Sequence, residues 1–138
     1  MPTLVVCAAL VIGAPTTDEL LKKDVFVVEA ELVEMPGTPP PNDLYDYAFV
    51  MKYVVKNGEK KGETIYVAHF NPRQKRKDVR DDMRRFVAGA LSRFKVGDTH
   101  TMKLSPHLDE IWSNALEDNT DAGRKTPRYW CLEVNLAK

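Results

Sequence analysis

The order of its strand-like and helix-like segments constrains the fold of this 138-residue chain more than any other feature. Apolar and polar residues alternate in three consecutive runs. Such alternation indicates β-strands because successive side chains of a strand point to opposite faces. An amphipathic run comes next, and two more alternating runs end the chain. The expected strands are Val25–Val33, Tyr45–Lys56, Glu63–Phe70, Thr99–Leu104 and Arg128–Leu136, and the expected helix is Asp78–Lys95.

The amphipathic run predicts a helix because its apolar residues recur at intervals of three and four. Gly89 lies inside the run and would cost a helix about 1 kcal/mol relative to alanine, so we expect close packing at that position. A helix with such a stripe can close one open end of a small barrel. The stripe consists of Val79, Met83, Phe86, Val87, Ala90, Leu91 and Phe94.

Alternation within the strands predicts which side chains share a face. One face of the second strand carries Tyr45, Tyr47, Phe49, Met51, Tyr53 and Val55. The opposite face includes Ala48 and Val50, so part of it is expected to be buried as well. In the last strand the inward residues are expected to be Trp130, Leu132, Val134 and Leu136. This assignment places Cys131 away from the interior.

A β-β-β-α-β-β order is the chain order of a five-stranded barrel of the OB type. We therefore expect a mainly β protein with one or two helices, in which residues 24–138 form a five-stranded OB-like barrel. Residues 1–23 form an N-terminal apolar segment and a short helix, which Thr16-Thr17-Asp18-Glu19 can cap. The length of the chain suits a single domain.

The apolar run Thr3–Ile12 leaves the location of the protein open. With Gly13-Ala14-Pro15 behind it, the run resembles the apolar centre and small-residue exit of a secretion signal. It has no basic residue before it and no Ala-x-Ala motif, so a buried or anchoring segment of the fold is the alternative. Ten apolar residues are too few to span a bilayer, which needs about twenty. An exported location is favoured over a cytoplasmic one, and both stay open.

The composition points away from catalysis and from a dominant electrostatic partner. Twenty basic residues balance twenty acidic ones, so no net field attracts nucleic acid or an anionic membrane. Cys7 and Cys131 are too few for a disulfide framework, and they are either two unpaired thiols or one bridge. The sequence contains neither a Gly-x-Ser-x-Gly elbow nor a glycine-rich phosphate loop. We therefore expect no enzymatic activity and no cofactor.

The histidines offer only a weak metal motif. His100 and His107 lie near Met102 in the sequence, and imidazole with thioether is a ligand set that suits copper. These residues form no tight motif, and His69 is not brought to them by any sequence pattern. No bound metal is expected, and a copper-binding electron-transfer accessory is the third functional interpretation.

A basic run after the third strand is the candidate for a nucleic-acid patch. It consists of Arg73, Lys75, Arg76, Lys77 and Arg80. Its alternative is a solvated loop balanced by Asp78, Asp81 and Asp82. The loops Glu34–Asp46 and Ser105–Pro127, which frame the ligand cleft in OB barrels, are both net negative. Such loops would repel a phosphate backbone, so nucleic acid is not the expected partner.

The same two loops carry stiff and aromatic residues that suit protein recognition. The residues expected to bind a partner are Pro40, Asp43, Tyr45 and Trp112. The alternative for Trp112 is that it covers an open end of the barrel. We expect a non-catalytic binding or structural subunit that engages another protein through these loops, or alternatively a single-stranded nucleic-acid or glycan-binding module.

Several segments resemble known OB domains. Val25–Glu34, Tyr47–Val55, Ile65–His69 and Phe94–Asp98, which leads into Met102-Lys103-Leu104, are similar to netrin-like and metalloproteinase-inhibitor-like domains. Lys52-Tyr53 and the ending Ala68–Pro72 resemble uncharacterised domains of exported bacterial proteins. The likeness covers about residues 25–136 and implies an OB-like barrel outside the cytoplasm that binds a protein or a glycan. The chain lacks the several disulfides of the animal families, so the resemblance does not extend to inhibitor function.

Overall fold

A computed structural model of the chain describes residues 13–41 and 45–138. The apolar run at residues 3–12, interpreted as a secretion signal or a buried segment, lies outside this part, and so does Cys7. No helix among the described residues is long and apolar enough to cross a membrane. The regular elements are α1 (Thr17–Lys22), β1 (Phe26–Glu34), β2 (Ala48–Val55), β3 (Thr64–Phe70), β4 (Thr99–Ser105), α2 (Leu108–Ile111), β5 (Leu116–Glu117) and β6 (Arg128–Leu136). The mainly β class with one or two helices is confirmed, and the sequence predicts α1 but neither α2 nor β5.

All six strands belong to one mixed sheet in the order β1-β4-β6-β3-β2-β5. Because β1 also pairs with β2, five of the strands form a closed ring of hydrogen-bonded neighbours. The pairs within this ring are antiparallel except β3 with β6, which run parallel from Tyr66 opposite Arg128 to Ala68 opposite Trp130. The short β5 lies beside the start of β2, outside the ring.

Local sequence explains the hairpin between β2 and β3. Gly58 has a φ of 74°, a left-handed conformation that glycine adopts without steric cost, so the Asn57-Gly58 pair can reverse the chain. The side chain of Asn57 accepts a hydrogen bond from the amide of Glu29 at 2.9 Å, which ties the turn to β1. The pairing then runs from Val54 opposite Thr64 to Ala48 opposite Phe70.

Buried residues form two hydrophobic clusters, one inside the ring and one outside it. The inner core contains Val28, Ala30, Leu32, Tyr47, Phe49, Met51, Tyr53, Val55, Ile65, Val67, Leu91, Met102, Leu104, Cys131 and Val134. The outer core lies on the other face of β2, β3 and β6, where α1 and α2 cover it. It contains Leu20, Ala48, Val50, Tyr66, Ala68, Phe70, Val79, Val87, Leu108, Ile111, Trp112, Trp130 and Leu132. Burial of both faces of β2 is therefore confirmed.

The expected facing of β6 is wrong over half of the strand. Val134 faces the inner core as expected, but Trp130 and Leu132 lie in the outer core, and Cys131 lies in the inner core. Leu136 is 56% exposed. The reason is an irregularity in the pairing of β6 with β4. Lys103 and Leu104 are adjacent, but their partners Glu133 and Cys131 are two residues apart, so Leu132 is an extra residue on β6. The extra residue on β6 shifts the inward and outward alternation by one position.

The expected helix over residues 78–95 is also wrong. The structure has only short 3₁₀ turns at Arg76–Asp78 and Asp81–Phe86. Residues 88–91 instead run beside β6, with a β-bridge between Ala88 and Glu133 and a bend at Gly89 and Ala90. The Ala88 amide donates to the Leu132 carbonyl at 2.8 Å, and the Val134 amide donates to the Ala88 carbonyl at 3.1 Å. This segment supplies hydrogen-bond partners to β6 beyond the point where its pairing with β3 ends.

Two features of the segment explain why it is not helical. Gly89 has a φ of 112°, which is not a helical conformation. A Cβ atom at this residue would lie 2.1 Å from the carbonyl oxygen of Val134. Gly89 is therefore closely packed as expected, but against the backbone of β6. The apolar residues are not all buried in one direction. Val79 and Val87 lie in the outer core, whereas Leu91 lies in the inner core. A single helical stripe could not reach both cores.

Candidate functional site

The loop after β1 and the loop before β6 are in direct contact. We call them the first loop (residues 35–47) and the last loop (residues 106–127). The side-chain amide of Asn119 donates to the Pro36 carbonyl, and the hydroxyl of Tyr45 donates to the Glu117 carboxylate, each at 3.4 Å. β5 also pairs with the start of β2, from Ala48 opposite Leu116. The two loops therefore lie side by side at one end of β2.

Two large apolar side chains are exposed where the loops meet. Tyr45 is 44% exposed and Leu116 is 42% exposed. Pro40 is half-buried, and its carbonyl accepts a hydrogen bond from the hydroxyl of Tyr47, whose ring centroid lies 5.8 Å from that of Tyr45. We call Pro40, Tyr45, Leu116 and Glu117 the loop surface. Asp43, the remaining expected member of the first loop, lies outside the described residues.

Trp112 is not part of this exposed surface. It is only 9% exposed, its indole N–H donates to the Ala115 carbonyl at 2.8 Å, and it packs in the outer core. Its ring stacks on Trp130 with centroids 6.1 Å apart and meets Phe70 edge-on at 5.3 Å. The expectation of an exposed anchor is wrong for Trp112. The alternative of a covering residue describes its position better, although what it covers is the outer face of the sheet.

Arg128 holds the last loop in a fixed shape. Its guanidinium donates to the Asp118 carboxylate at 2.8 Å and to the carbonyls of Gly123, Thr126 and Ala122. Burial opposes the charged form of Asp118, but hydrogen bonds from Thr120 and Arg128 outweigh that effect and lower its pKa. A loop fixed in this way loses little conformational entropy when it binds a partner.

The basic run does not form one continuous exposed patch. Arg73, Lys75, Lys77 and Arg80 are exposed, whereas Arg76 is 3% exposed. The buried guanidinium donates through Nη2 to the carbonyls of Phe70, Asn71 and Gln74. Arg73 donates to the Pro39 carbonyl of the first loop at 2.7 Å. Arg76 therefore does not belong to the exposed cations of this alternative nucleic-acid patch.

The two weak metal candidates have different surroundings. His107 precedes α2, where Nε2 lies 3.0 Å from the Asp24 carboxylate and Nδ1 lies 4.0 Å from Glu110. His100 is fully buried in the ring. Among the residues that the structure describes, no group of three or more His, Cys, Asp and Glu side chains could hold a metal ion.

A buried polar triad inside the ring was not predicted. The hydroxyl of Tyr53 lies 2.8 Å from Nε2 of His69 and 3.0 Å from Nδ1 of His100, and all three residues are fully buried. The ring of Phe94 packs against both imidazoles, with centroids 4.4 and 5.8 Å away. Alternation could have found the triad, because His69 shares the inward face of Ile65 and Val67 on β3.

The triad has unsatisfied atoms. The outer nitrogens, Nδ1 of His69 and Nε2 of His100, have no hydrogen-bond partner among residues 13–41 and 45–138. Because Tyr53 can donate only one proton, one histidine must accept from its hydroxyl and the other must donate to it. With both rings neutral, one outer nitrogen carries a proton without an acceptor and the other is bare. Burial lowers the pKa of both histidines, and Arg76 lowers that of His69 further.

Because of the two buried histidines, we expect the free energy of unfolding to decrease as the pH is lowered. The folded-state pKa of each histidine lies below the ordinary value of 6.5, so the unfolded chain binds protons first as the pH falls. The two neutral histidines make their full contribution to the free energy of unfolding above about pH 6.5. Below that pH the free energy of unfolding falls, by up to about 1.4 kcal/mol per pH unit for each histidine. Urea denaturation at a series of pH values measures this slope. His69→Phe should flatten it, and equal slopes in the two proteins would contradict the assignment.

Comparisons with known proteins identified no relative of this chain. A scan against protein-family models, a search of curated proteins and a search of solved structures each found no match. The candidate site is therefore defined by the geometry of this chain.

Proposed function

We propose that the chain is a non-catalytic binding or structural subunit that engages another protein through the loop surface. The observation that carries the proposal is the contact between the first and last loops. Tyr45 is exposed where the loops meet, beside the β2–β5 pair, and Leu116 is exposed on β5. Large rigid side chains of this kind often dominate the energy of an interface. Glu117 lies at the same place, so the surface suits a partner with basic residues.

We further propose that the ring is an OB-like barrel, of the kind that the sequence resembles in netrin-like domains. The neighbour relations support this, because β1, β2, β3, β6 and β4 follow one another around the ring and β3 runs parallel to β6. Ligands of OB barrels contact the loop between the first two strands and the loop between the last two. The first and last loops hold those positions in this chain.

Single-stranded nucleic acid is a weaker candidate for the ligand. OB barrels bind such strands on the face of the second and third strands. Here that face is covered by residues of the chain itself, since Ala48, Val50 and Tyr66 are buried in the outer core with Trp112. The acidic side chains of the last loop would also oppose a phosphate backbone. Glycan binding through Tyr45 remains the other alternative.

The experiment that tests the proposal is comparative capture from the native source. Three immobilised proteins are needed: the wild type, a Tyr45→Ala/Leu116→Ser double variant and a Val96→Ser control. Val96 is 51% exposed, so its variant removes an exposed apolar side chain outside the loop surface. A protein that binds the wild type and the control but not the double variant is the expected result. Capture of the same proteins by all three would contradict the proposal.

A further inference from the structure

Arg76 is a buried cation for which the structure gives no acidic partner. No carboxylate whose side chain the structure describes lies within 4.0 Å of its guanidinium. Three backbone carbonyls accept from Nη2, and the ring of Phe94 lies 5.4 Å from Cζ, but Nε has no hydrogen-bond partner within the described part of the chain. Burial lowers the pKa of Arg76 to about 10, so it stays charged at neutral pH. A buried charge in such surroundings is costly unless an anion compensates it.

Arg76 is among the residues that line a cavity of about 380 Å³ at the surface. The other walls are Lys75, Lys77 and residues 89–92. Ser92 also lines a second cavity of about 400 Å³, whose lining residues include Arg73 and Arg93. Among the side chains that the structure describes, no acidic one lines either cavity. A protein with no net charge thus has a concave region that is lined by cations.

We propose that the cavity between Arg76 and residues 89–92 binds the phosphate group of a small phosphate monoester. The carbonyls that hold Nη2 fix the guanidinium in place, so little ordering is needed when an anion binds. A guanidinium suits the tetrahedral oxygens of phosphate, and Lys75 and Lys77 add two mobile positive charges. This site is separate from the loop surface, and its existence does not depend on the proposed protein partner.

The dimensions favour a small ligand over a nucleic-acid strand. Cavities of this volume lie at the lower end of those that hold small molecules. Non-specific strand binding needs a basic groove with aromatic side chains on which bases can stack. Phe94 lines the second cavity, but it is half-buried and its ring packs against His69, His100 and Arg76.

The test is an NMR titration with inorganic phosphate and with phenyl phosphate, at ionic strength held constant with sodium chloride. We expect saturable shifts confined to the amides of residues 75–77 and 89–92. Lys75→Ala and Lys77→Ala together should weaken binding at least about tenfold, because two charge-assisted contacts are lost. Lys61→Ala is the control, since Lys61 is an exposed lysine in the β2–β3 turn. These variants alter surface residues and avoid the risk that an Arg76 variant fails to fold.

Three results would overturn the proposal. The first is the absence of saturable shifts with either phosphate compound. The second is equal weakening by Lys61→Ala, which would indicate general attraction of anions. The third is tighter binding of a short oligothymidylate than of phenyl phosphate, with shifts that spread to Arg80 and Arg93, because this would identify a nucleic-acid surface.

Discussion

Replacing Gly89 with alanine is expected to lower the free energy of unfolding by more than about 3 kcal/mol. Gly89 has a φ of 112°, which residues with a Cβ atom rarely adopt. The added methyl group would meet the Val134 carbonyl oxygen at 2.1 Å and the Val134 nitrogen at 2.7 Å. These are backbone atoms of β6, so the clash can be relieved only by displacing residues 88–91 from the strand. Urea denaturation of the two proteins gives the difference directly.

The sign of this effect separates the observed fold from the helix that the sequence predicts. In a helix over residues 78–95, the same substitution would raise stability by about 1 kcal/mol. Gly123→Ala is the matched control because nothing lies within 4 Å of a Cβ atom at Gly123. The control should change stability by less than about 0.5 kcal/mol. A Gly89→Ala protein that is as stable as the wild type would show that residues 88–91 do not pair with β6.

Trp130→Ala is expected to cost about 3–5 kcal/mol of stability. Trp130 is fully buried, and its indole N–H donates to the Phe86 carbonyl at 2.8 Å. Its ring stacks on Trp112 and lies 6.5 Å from Phe70, so truncation leaves a cavity between the sheet and its covering segments. Thermal and chemical denaturation both measure the loss.

Leu136→Ala on the same strand is the control for this prediction, since Leu136 is 56% exposed. We expect it to cost less than about 0.5 kcal/mol. If the two substitutions had similar small effects, the outer core would not contribute to stability as its burial implies. Trp112→Ala should resemble Trp130→Ala in lowering stability, because both rings belong to the same stack.

Strand positions could be predicted because alternation is a local property. Phe26, Val28, Ala30 and Leu32 of β1 face inward as their spacing indicates. The facing of Trp130 and Cys131 could not be predicted in the same way, because it depends on an irregularity in the pairing of β6 with β4. The position of that irregularity is decided by residues far apart in the sequence.

The spacing of apolar residues in 78–95 predicts a helix that the structure does not contain, and the reason is related. The segment buries residues in two cores and supplies hydrogen bonds to β6, and both requirements are tertiary. At the candidate site, composition identified the first and last loops, and Tyr45 is exposed as a binding residue must be. Composition could not show that Trp112 and Arg76 are buried, since side chains of both types are common at interfaces.

Affinity for the captured partner is the most direct test of a function carried by the loop surface. Isothermal titration should show that Tyr45→Ala weakens the complex by at least about 30-fold, or about 2 kcal/mol. The melting temperature should stay near that of the wild type, because Tyr45 is 44% exposed. Val96→Ser should bind as the wild type does. Unchanged affinity in Tyr45→Ala and in Leu116→Ser would contradict the assignment of partner binding to the loop surface.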